Sequence, residues 1–302
     1  MAMAILDFVN SEHLIYQSFN AIWVGMMLYG SVTALYYIIS ATDMLMDLFV
    51  RDSVSLEKYG ASEGHWAVIA ECADDVGSEM ALQLADKGFN IILLSSDTAT
   101  IESLKMAIVN NISVCHRAPT FFDKEEKLDC DNMVNANVTS LMSMIRTVVP
   151  QMQERQNGLI INMGSFTGMR SMPFMSVYAG TKGFVKSFTL SLAPELEPDG
   201  IMISCVLGLS DISKMFGIKT HSLTIPSANQ FVHHVFDRLG LKCGAPDSYT
   251  AIPYYPHSIL NFISSCLWDP MHTKPTYYSA ARNLFEYGQQ TLSARPISCG
   301  SQ

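Results

Sequence analysis

The chain has 302 residues, of which 49% are hydrophobic and 16% are charged, and its net charge at pH 7 is −9. This length suits one large α/β domain with an additional segment. The acidic balance, with no stripe of Lys and Arg, argues against a nucleic-acid partner, and a mean hydropathy of +0.19 is unusual for a purely soluble enzyme.

The N-terminal segment has the composition of a membrane span. No Asp, Glu, Lys or Arg occurs from 14 to 42, and the apolar stretch Ala21–Ser40 is long enough for a bilayer core. Trp23 and three tyrosines suit the membrane interfaces. A cleaved signal peptide is disfavoured, because Asp7 and Glu12 stand where a signal has basic residues. We therefore expect a transmembrane anchor.

The charges on either side of the anchor do not set its orientation, since both flanks are weakly acidic. The seven cysteines show no Cys-x-x-Cys pair and no metal-ligand spacing, so they predict free thiols and no metal site. Free thiols are typical of a reducing compartment, which places the body of the protein on the cytosolic side.

Beyond a polar linker at 51–64, short apolar runs alternate with helical patterns. Strands are predicted at 65–70, 90–95, 107–110, 159–163 and 201–207, and helices at 78–87, 101–105, 133–152 and 178–196, with a polar loop at 115–131. This alternation predicts a doubly wound parallel sheet. The apolar run Ile252–Trp268 suits a substrate-tunnel or membrane-surface element and, equally well, a core helix.

The chemistry of the chain centres on a serine, a tyrosine and a lysine. Tyr178 and Lys182 are four residues apart, so a helix places them on one face. An ammonium beside a phenol favours the phenolate, which makes Tyr178 a usable proton donor and acceptor near neutral pH. Ser165 is placed to hydrogen-bond a substrate carbonyl. These residues predict reduction of a ketone by a nicotinamide, although each taken singly also suits a structural role.

The order of several segments carries a family resemblance. They are Glu63–Ile69, Lys87–Ser95, Ile108–Asn111, Gly158–Phe166 and Tyr178–Phe184, with 222–226 and 254–257. Together they resemble the short-chain dehydrogenase/reductase superfamily. Within it, the chain is most similar to the membrane-anchored 3-oxoacyl-CoA reductases of fatty-acid elongation, especially the fungal ones, and then to their steroid 17-beta relatives.

The resemblance implies a role for each residue of the site. Tyr178 protonates the carbonyl oxygen, Ser165 holds that oxygen, Lys182 binds the nicotinamide ribose, and Asn137 orders a water in the proton relay. It also implies NADPH as the cofactor, with NADH as the alternative. The positions that match the family's cofactor contacts are Lys182, Asp74, Val76, Gly77 and Asn110.

The cofactor loop departs from the family pattern T-G-x-x-x-G-x-G. Glu71 and Asp75 stand where two glycines let the pyrophosphate approach the helix N-terminus, whereas Asp74 and Gly77 match. Two added carboxylates face a dianion, and one unit-charge pair about 4 Å apart costs roughly 4 kcal/mol at an effective dielectric of 20. The sequence therefore predicts that dinucleotide binding is weakened by orders of magnitude or lost.

Further departures also concern the cofactor. Ser96 replaces the arginine that pairs with the 2′-phosphate of NADP, and Asp97 is expected to accept ribose hydroxyls instead. Only residues 96–106 join the second strand to the third, so one edge strand of the family's sheet is missing; a shortened gene model explains this gap equally well. Ser113 replaces a glycine, and the Pro-Gly turn that follows the sixth strand is absent.

The sequence thus predicts an α/β fold, with a Rossmann-like doubly wound parallel sheet lacking one edge strand and an N-terminal transmembrane helix. We expect an anchor and linker at 1–58, a reductase domain at 59–225 and a substrate-lobe or membrane-associated segment at 226–302. The resemblance implies a very-long-chain 3-oxoacyl-CoA reductase-like protein of microsomal fatty-acid elongation. The alternative is an impaired or inactive paralogue that serves as a scaffold, regulator or lipid-binding protein.

The expected partners are an acyl-CoA-type lipid, the membrane and other elongation proteins. The expected location is the endoplasmic-reticulum membrane, with a single span and a cytosolic catalytic domain.

Overall fold

The structure is a computed structural model that describes residues 2–71, 74–94, 106–116, 119–170, 172–208 and 222–268, together with 282, 283 and 286. Its helices are α1 (Ala2–Phe49), α2 (Asp75–Asp86), α3 (Lys127–Val134), α4 (Leu141–Arg155), α5 (Phe166–Met169), α6 (Ser176–Leu196), α7 (Ala228–Asp237) and α8 (Tyr255–Trp268). Its strands are β1 (Trp66–Ala70), β2 (Asn90–Leu94), β3 (Met106–Asn110), β4 (Gly158–Met163), β5 (Ile201–Val206) and β6 (Thr250–Ala251).

The strands form one parallel sheet in the order β2-β1-β3-β4-β5-β6. Strand β1 pairs with β2 on one side and with β3 on the other, so the direction of winding reverses between β1 and β3. Ligands of such sheets bind beyond the carboxyl ends of the strands at this reversal. The predicted doubly wound α/β fold is confirmed.

The edge of the sheet next to β2 is where the sequence predicts the loss of one strand, which stays a prediction. Among the described residues, β2 pairs with β1 alone. The short connection from β2 to β3, residues 95–105, lies outside the described residues, and so does the helix predicted at 101–105.

Both faces of the sheet are covered by helices, because successive strand residues point to opposite faces. On one face Ile69, Ile161 and their neighbours pack against α2 and α7, and on the other Val68 and Ile160 pack against α4 and α6. All four of these strand side chains are fully buried. Burial on both faces explains why the strands read as continuous apolar runs.

The long helix predicted at 133–152 differs from the structure at both ends. Helix α3 begins at Lys127, within the segment predicted as a polar loop, and a π-helical turn, Asn135–Ser140, connects it to α4. Helix α4 continues past Pro150 to Arg155. Proline removes one backbone hydrogen bond, but both Pro150 and Arg146, whose carbonyl loses that bond, are exposed to solvent.

Helix α1 extends from the body of the protein. Among the described residues, its part from Tyr16 to Phe49 is the one helix long and apolar enough to cross a membrane, with a mean hydropathy of 1.6. Its end is anchored on the body, where Met44 and Leu48 are buried against Cys243 and α8. The following segment was predicted as a polar linker, yet its Leu56 and Tyr59 are buried in the core beside α2 and α7.

Candidate active site

Ser165 lies at the carboxyl end of β4, where the strand gives way to α5. Its hydroxyl caps α5 by accepting from the Thr167 peptide nitrogen at 3.3 Å, and it also accepts from the Thr167 hydroxyl at 3.0 Å. Because both bonds use its lone pairs, the hydroxyl proton of Ser165 is left to donate. Gly168 lets α5 lie against α6: a Cβ there would be 2.6 Å from the Lys182 carbonyl carbon.

Tyr178 and Lys182 lie on α6 and are both fully buried. The Lys182 ammonium is 5.9 Å from the centre of the Tyr178 ring and donates a hydrogen bond of 2.9 Å to the Met163 carbonyl, at the end of β4. A buried ammonium is costly unless it is hydrogen-bonded, so this carbonyl helps to hold the charge in place. The predicted placement of the two side chains on one helix face agrees with this geometry.

Asn137 lies in the π-helical turn, and its buried side chain joins three parts of the site. Its amide oxygen accepts from the Val114 nitrogen at 2.7 Å, and its amide nitrogen donates to the Val114 carbonyl at 2.8 Å and to the Thr181 hydroxyl at 3.0 Å. Thr181 donates in turn to the Tyr178 carbonyl at 2.8 Å. The turn therefore holds the loop after β3 against the helix that carries Tyr178.

Asn110 supports the sheet below this site. Its side chain is buried and donates to the Asn162 amide oxygen at 2.7 Å, and Asn162 donates to the Thr189 hydroxyl of α6 at 2.9 Å. The sequence assigned Asn110 to the cofactor, and this role stays a prediction; the amide nitrogen of Asn110 joins β3 to β4. Val76, also assigned to the cofactor, has its side chain in the core under α2.

Glu71, at the start of the loop between β1 and α2, has a backbone conformation typical of glycine although its side chain is acidic. Glu71 has φ +59°, the left-handed conformation that favours glycine. Its carbonyl accepts from the Asn111 amide at 2.9 Å, and the same amide donates to Asp74 at 2.7 Å. Asp74 also caps α2 by accepting from the Gly77 nitrogen at 2.7 Å.

Acidic residues flank the N-terminus of α2, where the family binds the pyrophosphate. A helix N-terminus attracts a phosphate through its free N–H groups and its dipole. Here Asp74 accepts the Gly77 nitrogen, and Asp75, the exposed first residue of α2, adds a second carboxylate beside Glu71. The residues present therefore do not fit a pyrophosphate as a glycine loop does. Asp97, the predicted ribose acceptor, lies outside the described residues, as does Ser96.

Sequence reasoning missed a buried pair in the loop after β3. His116 contacts Glu125 through its Nδ1, and both side chains are almost fully buried, 3% and 6% exposed. The only signal was a histidine and a glutamate inside a segment interpreted as a polar loop. Thr181, which links Asn137 to Tyr178, was missed as well. The described residues contain no group of three or more His, Cys, Asp or Glu that could hold a metal ion.

Comparison with known proteins agrees with this architecture. A family model described as short chain dehydrogenase matches residues 106–210. The very-long-chain 3-oxoacyl-CoA reductase of Scheffersomyces stipitis is 30% identical, over 86% of this chain and 88% of the relative. That of Kluyveromyces lactis is also 30% identical, over 80% of this chain and 83% of the relative.

A solved structure shares the fold. The 3-ketoacyl-(acyl-carrier-protein) reductase of Brucella melitensis complexed with NADH superposes with a TM-score of 0.50 at 19% identity, covering 63% of this chain and 96% of that one. The body of the present chain thus corresponds to nearly the whole of that enzyme. With the parallel sheet and these relatives, which are named 3-oxoacyl-CoA reductases, the chain belongs to the short-chain dehydrogenase/reductase family.

Proposed function

We propose that this protein acts on the 3-oxo group of an acyl-CoA in fatty-acid elongation, as a reductase that forms the 3-hydroxyacyl-CoA. The proposal is supported by the burial of Ser165, Tyr178, Lys182 and Asn137, and by the bond of Lys182 to the end of β4, the strand that precedes Ser165. The names of the fungal relatives supply the substrate class.

The chain's own residues provide a proton and an oxygen site for this reaction. The Ser165 hydroxyl donates a hydrogen bond to the substrate carbonyl oxygen and keeps its proton. Tyr178 transfers its phenolic proton to that oxygen, which becomes the hydroxyl of the product. The Lys182 ammonium, 5.9 Å from the Tyr178 ring centre, stabilises the phenolate that remains. Reduction of a ketone also requires a hydride, which NADPH or NADH supplies in the family. The acidic loop does not fit the pyrophosphate of these dinucleotides as a glycine loop does.

The same loop favours a second candidate function. An impaired or inactive paralogue would keep the carbonyl site and the acyl-binding body, and would serve as a scaffold, a regulator or a lipid-binding protein in the same pathway. Glu71 and Asp75 support this alternative because they replace two glycines of the family's loop at the start of α2, where the pyrophosphate approaches.

A dinucleotide titration separates the two candidates. The full-length protein in detergent micelles is titrated with NADPH and with NADH, and binding is followed by calorimetry and by nicotinamide fluorescence. Micromolar binding, with oxidation of the bound dinucleotide when a 3-oxoacyl-CoA is added, supports the reductase. No binding up to about millimolar dinucleotide, a free energy weaker than about −4 kcal/mol, supports the inactive paralogue.

The proposed membrane location rests on α1 and its contacts with α8. The aromatic rings of Tyr37 and Phe262 meet edge to face with their centroids 6.4 Å apart, and α8 exposes Leu260 and Ile263 beside this contact. We propose that α1 spans the endoplasmic-reticulum membrane once, that α8 lies at its cytosolic surface, and that the chain divides as 1–58, 59–225 and 226–302. Extraction with alkaline carbonate and protease protection of microsomes test the span and the cytosolic side.

Other elongation proteins are the partners proposed for the protein in that membrane. Crosslinking in microsomes, with and without α1, tests whether the anchor brings them together.

A further inference from the structure

A histidine–glutamate pair lies directly behind Tyr178, and the proposed reaction makes no use of it. His116 follows β3 at the carboxyl edge of the sheet, and Glu125 precedes α3. Nδ1 of His116 contacts a carboxylate oxygen of Glu125, while its Nε2 lies 3.4 Å from the Tyr178 peptide nitrogen, within hydrogen-bonding geometry. The pair thus reaches the backbone of the central residue of the site.

Helix α6 has no cap of its own. It begins at Ser176, and Met175 before it makes no side-chain hydrogen bond to the first turn. The first three N–H groups of a helix have no partner within it, and a capping side chain normally accepts the second or third. The third helical residue of α6 is Tyr178, and His116 accepts its N–H from another part of the chain.

This geometry specifies the protonation state of the imidazole. A peptide N–H can only donate, so Nε2 carries no proton, and the ring proton lies on Nδ1, where it is donated to Glu125. Burial lowers the pKa of His116, against the opposing effects of Glu125 and Asp129. The Cys130 thiol faces the same carboxylate, and the charges of Asp129 and Asp131 also act on it.

The other side of the Tyr178 peptide is tied to the same loop. The Tyr178 carbonyl accepts from Thr181, and Thr181 accepts from Asn137, which is bonded to both polar groups of Val114. Val114 and His116 are two residues apart. The first turn of α6 is therefore held at both the N–H and the C=O of Tyr178 by the segment that follows β3.

We propose that His116 and Glu125 are a positioning pair: the neutral imidazole caps α6 and fixes Tyr178, and Glu125 holds the imidazole in the tautomer that can do so. The effect of the pair on catalysis rests on the proposed reductase function, whereas the cap itself does not. Because the unfolded chain binds the His116 proton more readily than the folded chain, the stabilisation is complete above about pH 6.5 and is lost as the pH falls below it.

Hydrogen exchange tests the cap without requiring turnover. Amide exchange of the full-length protein in detergent micelles is measured by mass spectrometry with residue-level fragmentation across α6. We expect His116→Phe to speed exchange of the Tyr178 amide roughly five- to tenfold, with the second half of α6 unchanged. His116→Gln, whose amide oxygen accepts without ionising, should restore the protection. Glu125→Gln, which permits either tautomer, should give a smaller loss.

The pH profile separates a positioning role from simple packing. In the wild type, protection at Tyr178, normalised to the second half of α6, should fall as the pH drops below about 6.5, and this step should disappear in His116→Gln. The matched control is His234→Gln on α7, which should change nothing at Tyr178. If His116→Phe does not fold, the wild-type profile and His116→Gln decide the matter.

Unchanged Tyr178 exchange in His116→Phe, or an acid step that persists in His116→Gln, would overturn the cap. If Glu125→Gln leaves the exchange of the Tyr178 amide unchanged, Glu125 has no part in the cap. If the protein also turns over a 3-oxoacyl-CoA, His116→Phe should lower kcat with KM unchanged. If the protein is inactive and still shows the expected exchange pattern, the cap stands and only the proposed reductase function fails. Failure of the cap and failure of the proposed function are therefore distinguishable.

Discussion

The two halves of the site lie at the same edge of the sheet and have opposite character. In the carbonyl half, Ser165, Tyr178 and Lys182 are buried and held by bonds that also join strands to helices. In the dinucleotide half, Glu71 and Asp75 are partly or fully exposed on a loop. Side chains that also pack in the core keep their geometry. A loop in contact with solvent accepts new charges because they stay hydrated.

Glu71 nevertheless keeps the backbone conformation that a glycine would adopt. Glu71 holds a left-handed φ that costs a non-glycine residue roughly 1–2 kcal/mol, and the Asn111 amide fixes its carbonyl. If dinucleotide binding is weakened, charge and added side chains are therefore the expected cause at this position.

The sharpest test of the carbonyl half is Tyr178→Phe. Loss of the phenolic proton should lower turnover of a 3-oxoacyl-CoA by roughly 10²–10⁴-fold, because general acid catalysis contributes about that factor. Steady-state assays measure the loss, and circular dichroism should show an unchanged fold. Turnover that survives the substitution would mean that another group donates the proton.

A pair of glycine substitutions tests how tightly the carbonyl half is packed. A methyl group at Gly168 would meet the Lys182 backbone at 2.6 Å, so Gly168→Ala should destabilise the protein by about 1–3 kcal/mol in urea unfolding. Gly180→Ala is the matched control on α6: its Cβ meets no atom within 4 Å, and it should stabilise by about 0.5–1 kcal/mol. Equal effects would contradict close packing of α5 on α6.

The double substitution Glu71→Gly with Asp75→Gly tests whether charge separates the two halves. Dinucleotide affinity should rise at least about tenfold, since even 1.4 kcal/mol of removed repulsion has that effect. The gain should shrink at high salt because both residues contact solvent. As a control, Asp86→Asn with Asp123→Asn removes two exposed carboxylates elsewhere and should leave affinity unchanged. If the glycines do not raise the dinucleotide affinity, the short connection at 95–105, and not the charge, would explain weak binding.

The smallest effect concerns the cap of α2. Asp74→Ala should lower the free energy of unfolding by about 1 kcal/mol or slightly more, because Asp74 binds both Gly77 and Asn111. Ser227→Ala removes the cap of α7, where the Ser227 hydroxyl accepts from the Gln230 nitrogen at 3.2 Å, and should cost less. Chemical denaturation compares the two, and a larger loss for Ser227→Ala would mean that Asp74 does not bind the loop together.

Much of the fold was predictable because its signals are local. Buried parallel strands require continuous apolar runs, and the runs at Ala67–Ala70 and Leu159–Met163 lie in β1 and β4. The spacing of Tyr178 and Lys182 needed only the geometry of a helix. The resemblance added the family, which the relatives confirm.

The errors arose where distant segments decide the local structure. The start of α3 at Lys127 and the π-helical turn around Asn137 depend on packing against α6 and on the bonds to Val114. The passage of α4 through Pro150 depends on the exposure of that face. Leu56 and Tyr59 were assigned to a linker because their neighbours in sequence are polar. The apolar residues that bury them are distant in the chain.

The sequence by itself determined the sheet, the apolar N-terminal helix, the family and the acidic substitutions in the loop, because strand and helix periodicity and residue identity are properties of short segments. The tertiary structure decided which side chains meet. It brought His116 and Glu125 to the backbone of Tyr178, turned Asn110 into the sheet, and showed that Glu71 keeps a glycine-like backbone. These contacts join residues far apart in the chain, and burial and hydrogen-bond geometry select them only once the chain has folded.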